Sequence, residues 1–400
     1  MKILYLTARF PYPLDKGDKL RDYRHIEGLS ANHSVTLVSF VNPQTTEEHL
    51  NKLKPYCEKI VTVKKSTILQ LLKFLFSIFS NKPVQVSYYK SSAMKKEVKN
   101  LLENSDFDLL YTHLIRMAQY FIDIKNIPKV IDISDAISKS LSRRIATSNI
   151  FMRALIRIER NRVSDYEQQV INDFAIPIVV SEKTKEHLGG NNKIRVIRLG
   201  VEKRERSLSN RIAISERPIL IFSGNMSYYP NVDAAIYFAR EIFPLVTKIF
   251  PKAIFKIVGV NPTRNVRKLN SESVIVTGKV PSIRTEMEKA DIMVAPMRNG
   301  AGTQNKILEA MSSGIPIVTS SIGCEGLGDI DAVPFIVADT EVEFAKELIS
   351  LLENEELRNN LINSALNFIE EKHSWNLIID QFESTLLSAV RNNSQGQSYP

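Results

Sequence analysis

With 400 residues the chain is too long for one ordinary hydrophobic core, and two domains are expected. A content of 44% hydrophobic and 24% charged residues excludes a disordered chain, and two cysteines, Cys57 and Cys324, exclude a disulfide framework and fit a reducing cytoplasmic setting. The net charge of +9 is lopsided: residues 1–200 hold 32 Lys and Arg against 20 Asp and Glu, and residues 201–400 hold 21 against 24.

The apolar run Ile3-Leu4-Tyr5-Leu6 is too short for a signal peptide and is followed by Arg9, Pro11 and Pro13, so it reads as a first strand, Lys2–Thr7. Behind it, Ala8–Leu20 brings Gly17 to the start of a helical pattern. No GxGxxG is present, yet one glycine there lets an anion approach backbone N–H groups. Further strands are expected at Val35–Val41, Lys59–Val63, Leu109–Thr112, Lys129–Ile133 and Ile176–Val180. Between them, Thr67–Ser80 is the most apolar segment. At fourteen residues, interrupted by Lys73, it falls short of the roughly 20 needed to span a bilayer. It lies in a window, 51–100, with 11 Lys and Arg against Glu58 and Glu97. An interfacial helix on anionic lipid and a buried helix both fit that pattern. His113 follows the fourth strand, and Asp132 and Asp135 close the fifth, where helix caps also occur. The arginine-rich stretch Arg143–Arg162 suits either an anionic acceptor or a solvated helix face.

Glu202–Arg217 is charged, poor in large apolar groups and reads as a linker, here bounded as 201–217. A second series of strands follows at Ile219–Ser223, Ala253–Val258, Val274–Thr277, Ile292–Ala295 and Ile315–Thr319, with helical spacing over Val232–Ile249 and Lys306–Ser313. Runs nearly continuous in Ile, Val and Leu are those of parallel strands covered on both faces. The fold class is therefore α/β, with two doubly wound parallel-sheet, Rossmann-like domains at 1–200 and 218–373 facing a cleft. A C-terminal helix over 374–390 is expected to pack back on the first domain, ahead of a disordered tail, 391–400.

Ligands in such sheets bind beyond the carboxyl ends of the strands. Gly224-Asn225 follows the strand Ile219–Ser223 and can expose backbone amides. After Ile292–Ala295 comes Gly300-Ala301-Gly302-Thr303, then a helix carrying Lys306 and Glu309. Accessible N–H groups, a positive helix end and Lys306 suit a diphosphate, while Glu309, on the same face, suits vicinal hydroxyls.

The segment PMRNGAGTQNKILEAMSSGIPIVTS resembles the donor-binding region of GT-B glycosyltransferases of family 4 (group 1), as do DIMVAP, VTGKVPSI, SGNMSYYPNVDAA, IRVIRLGVE and FPYPLDKGDKLR. The last of these and SGNMSYYPNVD look most like transferases of exopolysaccharide and capsule clusters. The resemblance implies a GT-B fold and a retaining transfer, without a metal or cofactor, from a nucleotide-sugar donor to a glycan or lipid-linked acceptor. It places Glu309 at the donor ribose and Gly302, Thr303, Gln304 and Asn305 at the sugar and diphosphate. Val280 falls at the base, Gly17 at the phosphates across the cleft, and His113 near the anomeric carbon, with Asp135 a further cleft candidate. Two positions depart from the family pattern. The first glutamate of E-x7-E falls on Ala301, and no base lies within Ser227–Asp233, which leaves Lys306 as the main cation, supported by Arg198 or Arg298. The expected partners are the donor, the acceptor and an anionic membrane surface, the protein being cytoplasmic and peripheral on the inner face of the plasma membrane. The alternatives are a GT-B sugar-nucleotide epimerase and, from the basic half, a nucleic-acid-binding protein, which no aromatic-rich or helix-turn-helix pattern supports.

Overall fold

The computed structural model describes residues 1–65, 80–202, 214–299, 305–327 and 333–394. They fall into two compact units, Met1–Arg198 with Asn376–Pro400, and Leu199–Trp375. Thr67–Phe79 of the apolar run, residues 203–213 of the linker, Gly300 to Gln304 (with Gly302 and Thr303) and tail residues 395–400 lie outside the described residues.

The first unit is built on seven parallel strands: β1 (Lys2–Thr7), β2 (Ser34–Val41), β3 (Lys59–Lys64), β4 (Leu109–His113), β5 (Lys129–Ser134), β6 (Ile176–Val179) and β7 (Arg195–Val196). Their order is β3-β2-β1-β4-β5-β6-β7. Leu4, Tyr5 and Leu6 are fully buried on alternate faces of β1, which is why that strand reads as an unbroken apolar run. Helix α1 (Gly17–Leu29) follows β1, and α2 (Ile137–Thr147) and α3 (Ile150–Asp173) pack together after β5. The C-terminal helix Trp375–Ser394 runs against α1: Phe382 stacks on His25 at 3.8 Å, and Glu383 meets His33 Nε2 at 2.8 Å. The approach is close enough that a Cβ at Gly28 would lie 2.5 Å from Ile379. Disorder was expected from Arg391. The helix instead continues to Ser394, with Arg391 in its last turn, where a cation suits the negative helix end.

The second unit has six parallel strands, β8 (Ile219–Ser223), β9 (Ile254–Val258), β10 (Val274–Gly278), β11 (Ile292–Ala295), β12 (Ile317–Thr319) and β13 (Ile336–Val337), in the order β10-β9-β8-β11-β12-β13. Helix α4 (Tyr229–Tyr237) follows β8, and α5 (Asn305–Ser312) lies between β11 and β12. The architecture is the α/β pair of doubly wound parallel sheets that the strand pattern called for. At the edge of this unit Val201 N–H donates to His373 O (2.8 Å) and His373 Nδ1 donates to Leu199 O (2.7 Å), so part of the expected linker is integrated here.

Two local expectations are revised. The helix expected over Val232–Ile249 starts earlier, at Tyr229, and is broken into Tyr229–Tyr237, a π turn at Phe238–Ile242 and Phe243–Thr247. Pro244, which has no N–H, opens the last piece and accounts for the interruption of the α ladder before it. Strand β12 starts at Ile317 and not Ile315, because Pro316 has no N–H to pair; its carbonyl accepts from Met293 N–H at 3.0 Å.

Candidate active site

In the second unit the strand order reverses between β8 and β11, and the space beyond their carboxyl ends is the switch point of a doubly wound sheet. From β8 the chain turns through Gly224 and Asn225 into α4. Asn225 Oδ1 accepts from Ser227 N–H (3.1 Å) and Oγ–H (2.9 Å), and its carbonyl accepts from Asn231 Nδ2 at 3.0 Å. Glycine is needed here for space, since a Cβ at Gly259 would lie 1.7 Å from Gly224 O and one at Gly224 would lie 2.7 Å from Asn231 Nδ2.

From the β11 side, Lys306 in the first turn of α5 reaches the same place. Its Nζ donates to Asn231 Oδ1 at 2.6 Å, lies 4.0 Å from Met297 Sδ and sits 4.2 Å above the ring of Phe222. Burial pulls the ammonium down to about 7, with Glu309 opposing the shift. A cation held this deep, hydrogen-bonded to one amide oxygen among the described residues, is costly to the resting protein and suited to an anionic ligand. Glu309, one turn along α5, is half-buried, and Asn305 opens the helix. Arg298 is engaged elsewhere: its Nη2 and Nε contact Asp233 at 2.5 and 3.1 Å, and Asn299 joins them at 3.2 Å. Val280 is half-buried just past β10, at the carboxyl end of an edge strand.

In the first unit the reversal lies between β1 and β4. Gly17 is exposed at the start of α1, while His113, the last residue of β4, is buried. His113 Nδ1 lies 2.9 Å from Asp22 Oδ1 and Nε2 lies 2.9 Å from Ser134 Oγ, so both ring nitrogens are engaged. Tyr5 donates to the same Asp22 oxygen at 2.9 Å. Beside it Arg21 Nε donates to Asp132 Oδ2 at 2.7 Å, and its other nitrogens donate to the carbonyls of Arg198 (2.8 Å) and Ile197 (3.0 Å). Burial works against a charged His113, but Asp22 and Asp132 outweigh it and the imidazole pKa is raised. Burial likewise opposes ionisation of Asp132, yet Arg21 and His113 hold its carboxyl below the usual range. Asp135 is raised to about 6, first by burial and then by Asp132, and its Oδ1 is buried without a hydrogen-bond partner. Leu114 (φ 72°) and Ser134 (φ 62°) take left-handed backbone on either side of this network, a strained conformation for residues with side chains.

A cavity of about 380 Å³ opens at the carboxyl ends of β1, β2 and β3, lined in part by Arg9, Tyr12, Lys19, Lys65 and Tyr89. Lys65 Nζ lies 3.7 Å over the Tyr89 ring and Arg116 lies 4.8 Å from it. Burial opposes ionisation of Tyr89, but Arg116, Lys65 and Arg9 prevail and lower its pKa. Among the described residues no cluster of three or more His, Cys, Asp or Glu side chains is placed to hold a metal ion.

The structure thus brings Gly224, Asn225 and Lys306 together in one unit, and His113 and Asp132 in the other. Arg21, Asp22 and Asn231 escaped the sequence reading. The signal for the first two was present: Arg21, Asp22 and His25 occupy the same helical spacing as Ile26 and Leu29, so charged groups stand where an apolar face should be. Asn231 carried no such mark.

The glycosyl transferases group 1 family matches residues 217–354, a span that includes β8, α4, β11 and α5. An uncharacterized 44.6 kDa protein in the cps region of Klebsiella pneumoniae is 23% identical over 93% of this chain and 96% of its own length. An uncharacterized glycosyltransferase of Methanocaldococcus jannaschii, MJ1069, is 25% identical over 76% of this chain and 71% of that protein. Among solved structures, Anabaena HepE in complex with UDP and glucose superposes with a TM-score of 0.68 at 14% identity, over 97% of this chain and all of that one. The family match thus lies on the unit whose switch point holds Lys306: residues 217–354 form a glycosyl transferases group 1 domain, in a chain of GT-B architecture.

Proposed function

We propose that the chain transfers a sugar, with retention of anomeric configuration, from a nucleotide-sugar donor in the second unit to a glycan or lipid-linked acceptor at the first unit, in surface-polysaccharide synthesis. The observation that carries this reading is Lys306: a buried ammonium at the carboxyl ends of β8 and β11, held at 2.6 Å by Asn231, with Glu309 one turn on. A diphosphate arriving there supplies negative charge directly at the buried ammonium. As the sugar departs, negative charge grows on the diphosphate, and a preorganised cation in a dry site stabilises that change. Glu309 is assigned to ribose hydroxyls and Val280 to the base, with Gly224, Asn225 and Asn305 lining the donor and Gly302, Thr303 and Gln304 completing its diphosphate loop. HepE's bound UDP supports a uridine donor as the first candidate, and the cps-region relative supports a capsule-type product.

On the acceptor side, the cationic and aromatic lining around Arg9, Lys65 and Tyr89 suits a polar glycan, with Gly17 at the rim. His113 orients Asp22 and Ser134, and Asp135, held near 6, is suited to accept the acceptor hydroxyl proton at neutral pH. No metal or cofactor is assigned a role, and no nucleic acid is a partner.

A panel of nucleotide sugars assayed by thermal shift tests this directly. One or a few should raise the melting temperature saturably, and Glu309→Ala should abolish the shift. With the identified donor and a glycan acceptor, NMR of the product should show the donor's anomeric configuration. No shift with any nucleotide sugar would defeat the reading, and epimerisation of the donor sugar without acceptor would replace it.

A further inference from the structure

Helix α3 is apolar on two sides at once. Ile156, Val163 and Val170 face the core, as expected for a helix laid on a sheet. Its first three turns also show Ile150 (88% exposed), Phe151 (71%), Leu155 (44%) and Ile158 (51%) to solvent. At 100° per residue these four and Ala154 occupy an arc of about 140° on the side away from the core. The segment is a well-formed helix start: Asn149 Oδ1 caps it by accepting from Met152 N–H at 3.0 Å. A contiguous apolar face on a folded surface needs a partner.

The charge around that face says which partner. Residues 139–162 of α2 and α3 hold seven Lys and Arg, and Glu159 is the single acidic residue among them. Arg153 and Arg157, both exposed, border the apolar arc on one flank. A second copy of the chain would bring this positive stripe against itself, a like-charge contact that disfavours self-association. An apolar face bordered by arginines, on a helix lying along the surface, has the design of an interfacial helix. Among the described residues no helix is long and apolar enough to cross a membrane, so the contact is a resting one.

We propose that the first three turns of α3 seat the N-terminal unit on an anionic phospholipid bilayer. Ile150, Phe151, Leu155 and Ile158 enter the headgroup boundary, and Arg153 and Arg157 meet lipid phosphates. The proposal leans on the transferase reading only for its purpose, which is to bring a membrane-borne acceptor within reach.

Flotation of the full chain with vesicles tests it. Vesicles containing about one third phosphatidylglycerol should capture the protein, and pure phosphatidylcholine should not. Phe151→Asp with Ile158→Asp should weaken capture at least about tenfold, and Arg153→Gln with Arg157→Gln about fivefold per charge removed. Both double variants alter exposed side chains and should keep the parent melting temperature and donor-induced shift, which separates lost docking from lost folding. Four results would each overturn the proposal: no capture by anionic vesicles, equal capture by neutral ones, unchanged capture of both variants, or a solution dimer that Phe151→Asp dissociates. None of these touches the donor-binding result, so the two readings stand or fall separately.

Discussion

Lys306 is the residue on which the proposed donor chemistry rests, and it carries its own test. Its pKa in the folded chain, about 7, lies below the ordinary lysine value of 10.5, chiefly through burial. Between those values the unfolded chain binds more protons, so folding stability rises with pH from 7 to 10.5, and the full penalty applies below 7. Lys306→Met is therefore expected to stabilise the second unit at pH 6, by about 1–2 kcal/mol, and to bring little gain at pH 10. Urea unfolding at the two pH values checks this. The same variant should lower kcat/KM roughly 10²–10³-fold, a loss of stability's counterpart that marks a site kept strained for function. Donor binding should also take up a proton near pH 8, because a diphosphate restores the ammonium. Calorimetry in buffers of different ionisation enthalpy would read that uptake.

Helix α1 is the element that organises the first unit's polar interior. It sends Arg21 onto Asp132 at the end of β5 and Asp22 onto His113 at the end of β4, so three elements are joined through four buried charged or titratable groups. A buried pair contributes little over an apolar replacement, but breaking one strands its partner's charge. Arg21→Ala should destabilise the first unit by about 3–5 kcal/mol. Arg21→Met combined with Asp132→Leu should cost clearly less than the sum of the single changes. Chemical denaturation of the four proteins measures the coupling, and strictly additive losses would show that the two side chains do not act as a pair.

At the scale of the whole molecule, the two units divide charge, as the proposed function divides donor and acceptor between them. The cationic surplus of residues 1–200 gathers in part on α2 and α3 and around the Lys65 cavity, while the proposed donor site centres on the buried Lys306 in a half whose balance is slightly acidic. Saturation with the nucleoside diphosphate of the active donor should accordingly slow amide exchange at residues 224–231 and 305–309. Protection that skips both segments would place the donor elsewhere. Much of this architecture was legible in the sequence. Eleven strands announced themselves because the strands of a covered parallel sheet are rich in Ile, Val and Leu on both faces, and Gly224 and Lys306 could be found because they follow such strands. The two-residue strands Arg195–Val196 and Ile336–Val337 are too short to have a period, and the interrupted helix after Tyr237 depended on how Pro244 was accommodated. Local pattern thus determined the fold class and which loops could bear chemistry, since burial imposes its composition residue by residue. Only the tertiary structure decided that Asn231 holds Lys306, that Arg298 is committed to Asp233, that Arg21 and Asp22 are interior, and that the start of α3 is apolar on its outer side. Each is a pairing between distant residues or a choice of face, and the free energy of such pairings belongs to neither partner's sequence alone.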